Sequence, residues 1–175
     1  MTLEHAFYAL LFFLPAGISN MTPVLASRLP GLRAWRTPID LGRTFRGKRL
    51  LGPNKTWRGL VCGTIAGTLT GILIYGSLFT DENKLTLICV WAAMSFGALV
   101  GDAVESFFKR QRGIVSGQAW FPFDQTDYII GGLLFILPFG ILPLWLVVWI
   151  FVIYFGLHLV SSYVGYLLGL KDQPI

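Results

Sequence analysis

The sequence predicts an all-α integral membrane protein that crosses the bilayer five times, with the N-terminus outside and the C-terminus in the cytoplasm. Three observations predict it. The 175 residues are 54% hydrophobic and only 13% charged, with mean hydropathy +0.65, whereas soluble domains average about 25% charged. Five apolar windows approach or exceed the ~20 residues a spanning helix needs. Twelve of the 14 cations fall in two of the connections between those windows, as the positive-inside rule expects of cytoplasmic loops.

The first window covers 6–29 and contains Pro15 and Pro23; the second covers 59–79 and the third 85–108. The fourth, 128–141, is short and has Pro138 near its end, and Pro143 is expected to make a tight turn into the fifth, 144–168. A single helix over 129–168 is excluded, because it would be about 60 Å long. From the last residues of window one up to window two come Arg28, Arg33, Arg36, Arg43, Arg46, Lys48, Arg49, Lys55 and Arg58. Between three and four lie Lys109, Arg110 and Arg112, so these connections hold all but two of the 14 Lys and Arg residues. The connection between windows two and three carries Asp81, Glu82 and Lys84. An odd number of spans and two basic loops on one side agree with each other. The first charge is Glu4, so no basic region marks a cleaved leader and the first window is expected to be retained. The net charge of +5 is topological and gives no reason to expect nucleic acid. Residues 1–175 then form one transmembrane domain in the cell membrane, with cytoplasmic loops at about 30–58 and 109–126.

Cys62 and Cys89 stand in apolar segments with no metal-ligand spacing, and are expected to be small buried hydrophobes. His5 and His158 are isolated. In the second window Gly59, Gly63, Gly67 and Gly71 form a small-xxx-small run that lets helices approach closely; it is expected to pack within the chain, with a homodimer face as the alternative.

Charge beside lipid is costly and marks sites. Asp102, Glu105, Ser106 and Lys109 recur at i, i+3, i+4 and i+7 and share one face of the third helix. Asp124 and Asp127 lie at the start of the fourth, on the same side of the membrane. Four carboxylates suit a hard cation such as Mg²⁺. An ion-paired rim would explain one pair but not four converging acids. The first basic loop interleaves its cations with Gly, Thr and Asn in 42–49 and 52–59. Glycine admits a close backbone approach, N–H groups donate, and cations neutralise phosphate. It lacks the Walker A spacing. Acids for a metal beside a basic, glycine-bearing loop make the two halves of a nucleotide or pyrophosphate site.

These residues resemble a known signature. Ser106-x-x-Lys109-Arg110 followed by Asp124-x-x-Asp127 is similar to that of the CDP-diacylglycerol synthase family. Gly101-Asp102-x-x-Glu105-Ser106-Phe107-x-Lys109-Arg110, Trp120-Phe121-Pro122-Phe123-Asp124-Gln125-x-Asp127 and the element at 52–59 are closer still to its archaeal branch, which makes CDP-archaeol. The bacterial His-Gly-Gly element is absent, Gln125 stands where bacteria have Arg, and Gln111-Arg112-Gly113 replaces a Lys-Asp pair, all of which favour the archaeal lipid. The resemblance implies cytidylyl transfer from CTP to 2,3-bis-O-geranylgeranylglycerol 1-phosphate, with release of pyrophosphate. It implies a catalytic set of Asp102, Glu105, Lys109, Arg110, Asp124 and Asp127, with Mg²⁺ on Asp102, Asp124 and Asp127. Arg43, Arg46, Lys48, Lys55 and Arg58 would bind the triphosphate; Asn54, Thr56 and Ser106 would contact phosphate or cytosine. The prenyl chains would lie in a groove between spans. The rival expectations are a CDP-alcohol phosphotransferase, whose Asp-Gly-x-x-Ala-Arg pattern does not match Gly101-Asp102-Ala103, a small transporter with intramembrane acids, and a scaffold for anionic lipid.

Overall fold

The computed structural model describes residues 2–78 and 83–169. Asp81 and Glu82, assigned above to the outer connection, lie outside the described residues. Five α-helices run in chain order: α1 (Leu3–Ala26), α2 (Trp57–Leu78), α3 (Lys84–Gln111), α4 (Phe123–Ile136) and α5 (Leu144–Leu167). Four of them, α1, α2, α3 and α5, are long and apolar enough to cross a membrane, which makes this a helical, multi-pass membrane protein.

α4 departs from its expected bounds. Its 14 residues give about 21 Å of helix, short of the ~30 Å hydrocarbon core. It begins five residues before 128, because a turn through Trp120 to Phe123 seats its first N–H groups: Phe123 N donates to Trp120 O at 2.8 Å and Asp124 N to the same oxygen at 3.2 Å. It ends at Ile136, where Leu137–Phe139 tightens into a 3₁₀ turn around Pro138, which has no N–H to continue the ladder. Pro143 directly precedes α5, as expected. The basic loops also differ from their expected bounds, the first starting and ending earlier and the second narrower at both ends. Lys109 and Arg110 ride the last turn of α3 and Arg58 the first turn of α2, so the connections are 27–56 and 112–122.

Ala9, Phe13 and Ala16 of α1 pack with Met94 and Ala98 of α3, Ile129 of α4 and Ile150 and Tyr154 of α5 to form the core. Polar ties cross it where a side chain reaches a backbone carbonyl of a neighbouring helix: Ser19 Oγ donates to Ser95 O at 2.9 Å, Tyr128 OH to Tyr154 O at 2.8 Å, and Tyr154 OH to Leu10 O at 2.6 Å. The glycine run of α2 faces α1 and α3. A Cβ at Gly63 would stand 2.8 Å from both Leu99 and the Ser19 carbonyl, and Gly67 and Gly71 meet Ser95 and Trp91 as closely. The run is therefore accounted for by packing within the chain. Cys62 is half-buried and Cys89 exposed, both as free thiols. The expectation of burial fails because bilayer, not protein, is what covers the outer face of a membrane helix.

The connection 27–56 is folded. β1 (Thr44–Phe45) and β2 (Lys48–Arg49) pair antiparallel through a two-residue turn with φ +52° at Arg46 and +74° at Gly47, the pattern of a type I′ hairpin. Asp40 organises the rest. Its Oδ1 accepts from Gly42 N at 3.0 Å and Arg49 Nη2 at 2.7 Å, and its Oδ2 from Leu51 N at 3.1 Å and Gly52 N at 3.0 Å. Burial works against this carboxylate, but the Arg49 guanidinium and the three amides outweigh it and hold the carboxyl well below its usual range. Lys48 Nζ donates to Gln111 O at 2.6 Å, Asn54 Nδ2 to Ser116 Oγ at 2.9 Å, and Trp57 N to Thr37 O at 3.0 Å. The loop is thereby fastened to the end of α3 and to the start of α2.

Candidate active site

The site is built where α3 and α4 cross backbone against backbone. At Gly101 an added Cβ would overlap the Asp127 carbonyl oxygen, and at Gly131 it would stand 2.8 Å from the Gly101 Cα. Backbone touches backbone there, so the residue after Gly101 and the turn before Gly131 are brought together. The result is a cluster in which Asp102, Glu105 and Asp127 each offer a carboxylate oxygen within 4.8 Å of the others. Among the described residues no histidine or cysteine joins such a group.

Two lysines answer these acids. Lys55, delivered by the folded loop, donates to both oxygens of Asp102 at 2.6 Å. Its burial opposes the charged form, but the Asp102 carboxylate, followed by Asp127 and Glu105, holds its pKa above the ordinary lysine value. Lys109, buried on α3, donates to Asp124 at 2.8 and 3.1 Å and lies 3.6 Å from Glu105 Oε1. Asp124 also accepts from Trp120 N at 2.8 Å. The Trp120-to-Phe123 motif therefore does a local job: it turns the chain and presents a backbone donor to Asp124, while Arg112 lies over the Trp120 ring at 4.7 Å.

This arrangement regroups the expected metal ligands. Asp102 and Asp127 come together as anticipated, but Glu105 completes the trio, and Asp124 is engaged by Lys109 and Trp120. The donor set fits a hard divalent cation: three carboxylates, no soft ligand, and a buried Glu105 Oε1 that has no hydrogen-bond partner.

A cavity of about 740 Å³ opens beside the cluster, lined by Lys55, Asp102, Asn54, Thr56, Arg58 and Arg36, and by Asn20 of α1. Thr56 and Arg58 also hold structure: Thr56 Oγ1 accepts Gly59 N at 3.2 Å as the cap of α2, and Arg58 Nη1 donates to Leu32 O at 3.2 Å. Arg58 is buried with its Nε unpartnered, a donor available to the cavity. Ser106 is buried one turn from Asp102. Arg110 lies against Gly52, 3.7 Å from a Cβ placed there, where the two loops meet. Three expected triphosphate ligands are placed elsewhere. Arg46 is exposed at the hairpin tip over Phe45, Lys48 turns to Gln111, and Arg43 lines a separate cavity under the hairpin. Sequence reasoning missed Arg36, Asn20 and Asp40 as parts or supports of the site. Only Asp40 left a local signal, an Asp two residues before a glycine at a turn. Gln125, read in the sequence only as a departure from the bacterial Arg, is buried with Oε1 unpartnered.

Comparison with known proteins settles the family. The family model CarS-like: CDP-archaeol synthase matches residues 2–175. The chain belongs to the CDP-archaeol synthase family. It is 38% identical over 180 residues to the protein of Thermococcus kodakarensis named CDP-archaeol synthase, covering 98% of each chain. To that of Methanoculleus marisnigri it is 40% identical over 149 residues, covering 79% of this chain and 89% of the relative. A solved structure of an intramembrane enzyme for archaeal membrane lipids biosynthesis superposes with TM-score 0.75 at 33% identity, over 88% of this chain and 92% of the other.

Proposed function

We propose that this chain transfers the cytidylyl group of CTP to an unsaturated prenyl diether glycerol phosphate, giving CDP-archaeol and pyrophosphate. The observation that carries this is the junction, at the Lys55–Asp102 pair, of a three-carboxylate cluster with a cation-lined cavity large enough for a nucleotide. Family membership supports the same chemistry.

In this account the cavity holds the nucleotide, with Lys55, Arg36 and Arg58 neutralising the triphosphate and Asn54 and Thr56 fixing its orientation. Asp102, Glu105 and Asp127 would hold a Mg²⁺ ion, which when bound offsets charge building on the phosphates. A phosphate oxygen of the lipid forms the new bond to the α-phosphorus as the α–β bridging bond breaks, and pyrophosphate leaves with that electron pair. No general base is needed, because the attacking phosphate is already ionised near neutral pH. Lys109, held between Asp124 and Glu105, fixes the carboxylates beside the ion, and Arg110 braces the two loops at Gly52. Positioning and charge neutralisation supply the rate.

The cytoplasmic membrane face is proposed for the site, with the N-terminus outside and α4 completing a fifth crossing through its 3₁₀ extension; the cell membrane is the proposed location. The test is pyrophosphate release by detergent-purified protein given Mg²⁺, the diether lipid phosphate and, in parallel, CTP, ATP, GTP or UTP. Release that requires both lipid and CTP supports the proposal; folded protein that releases none with any nucleotide overturns it.

A further inference from the structure

A second cavity of about 480 Å³ lies between the hairpin loop and α3. Leu41 and Leu50 wall it on the loop side, and Val100, Val104 and Phe107 on the helix side. Phe45 of β1 packs against Phe107 with ring centroids 6.2 Å apart, so the hairpin roofs it. Its one acid, Asp40, is saturated by Arg49 and three backbone amides, which leaves the interior apolar.

What gives this cavity a meaning is its wall. Ile39 and Ala103 line both cavities, the polar one and the apolar one. Along α3 the order is Asp102 on the polar cavity, Ala103 on both, and Val104 on the apolar one. Both volumes lie in the usual ligand-pocket range of about 300–1,000 Å³. Arg43 stands at the apolar cavity as its one cation, and Leu41, Val104 and Phe108 are exposed around it. An exposed apolar rim beside a membrane helix faces hydrocarbon at low cost, whereas in water it would be a liability.

We infer that the apolar cavity receives the glycerol-proximal part of one prenyl chain of the lipid phosphate, with Ile39 and Ala103 forming the threshold between headgroup and chain. This rests on the proposed function and adds where the lipid lies. A single ligand that is anionic at one end and apolar at the other fits two cavities that share a two-residue wall. A phosphate beside Asp102 puts the glycerol at Ala103 and the first isoprenoid unit at Val104. Ala103 and Ile39 then set how bulky the link between phosphate and chain can be.

The test is photolabelling with a diether glycerol phosphate that carries a diazirine in its first isoprenoid unit, mapped by mass spectrometry on the full chain in detergent with Mg²⁺. Adducts are expected on the peptides that contain Leu50 and Val104–Phe107. Unlabelled diether phosphate should compete for them; the same diether without phosphate should not. Val104→Trp, which fills the cavity from the helix side, and Leu50→Trp, which fills it from the loop side, should each cut labelling about tenfold, the equivalent of about two buried methylenes lost. CTP affinity by calorimetry reports that each variant is folded. Adducts confined to the outer faces of α2 and α5, equal competition by the phosphate-free diether, or full labelling in both folded variants would overturn the inference. Labelling does not require turnover. A protein that labels as expected but releases no pyrophosphate would therefore sink the proposed reaction and leave the chain site standing.

Discussion

Replacing Asp40 with asparagine tests whether the basic loop is a folded part of the site or only a tether. The Asp40 side chain has no exposed surface, and its two oxygens each take two hydrogen bonds. An asparagine keeps one of those oxygens. Its NH₂ group must face either Leu51 N–H and Gly52 N–H or Gly42 N–H and Arg49, and in both orientations two donors lose their acceptor. At about 1–3 kcal/mol for each buried group left unmet, the closed loop is destabilised by about 2–6 kcal/mol. The helices do not depend on these bonds, so Asp40→Asn should fold as a bundle with an open loop. If closure falls to about a tenth of molecules, apparent CTP affinity falls about tenfold. Two assays read this: limited trypsin digestion at Arg43, Arg46, Lys48 and Arg49, which should accelerate, and calorimetry with CTP–Mg²⁺. pH supplies a further check. The closed loop holds the Asp40 carboxyl well below its usual range, whereas in the open loop it titrates near 3.9. The open form therefore binds the proton first as pH falls. The stabilisation is fully present above about pH 4 and is lost below it, so wild-type loop protection, read there by amide hydrogen exchange, should fade on acidification while the Asn variant shows no such loss. Wild-type tryptic protection and CTP affinity in Asp40→Asn would refute the reasoning.

Three further outcomes are expected. Lys55→Ala should weaken CTP binding by about tenfold or more and, by freeing Asp102, strengthen Mn²⁺ binding to the cluster; calorimetry with each ligand alone separates the two, and unchanged CTP affinity removes Lys55 from the site. Gly101→Val should cost at least about 1–3 kcal/mol by overpacking and should loosen Mn²⁺ binding, because a Cβ there meets Asp127 and Gly131 backbone; an unaltered thermal midpoint would contradict the backbone contact. The double variant Cys62→Ala and Cys89→Ala should retain activity in the pyrophosphate assay, because both thiols are free and lie away from the acids.

The four long helices were legible because hydropathy over 18 or more residues is a strong, local signal. α4 was not, because its start depends on a Trp120–Phe123 turn and its stop on a 3₁₀ turn at Pro138, neither of which alters hydropathy. The acids were legible as a set, since i, i+3 spacing places them on facing surfaces. Their division was not. Only the three-dimensional crossing shows that Lys109 bonds closely to Asp124, which also takes the Trp120 N–H, and lies farther from Glu105, whose carboxylate joins Asp102 and Asp127. The loop cations looked alike in sequence. The hairpin sorts them, turning Arg46 and Lys48 away while Asp40, a residue with no catalytic look, brings Lys55 to Asp102. The glycine run of α2 was read correctly as internal packing, because small residues at every fourth position can serve a neighbouring helix before any second copy.

The most direct measurement is formation of CDP-lipid from α-³²P-labelled CTP and the diether lipid phosphate by wild type and by Asp127→Asn, with Mn²⁺ binding followed on both proteins. The account predicts labelled lipid product from wild type only, and loss of Mn²⁺ binding in the variant while its thermal midpoint stays in place. Product formed by folded Asp127→Asn at the wild-type rate would contradict it.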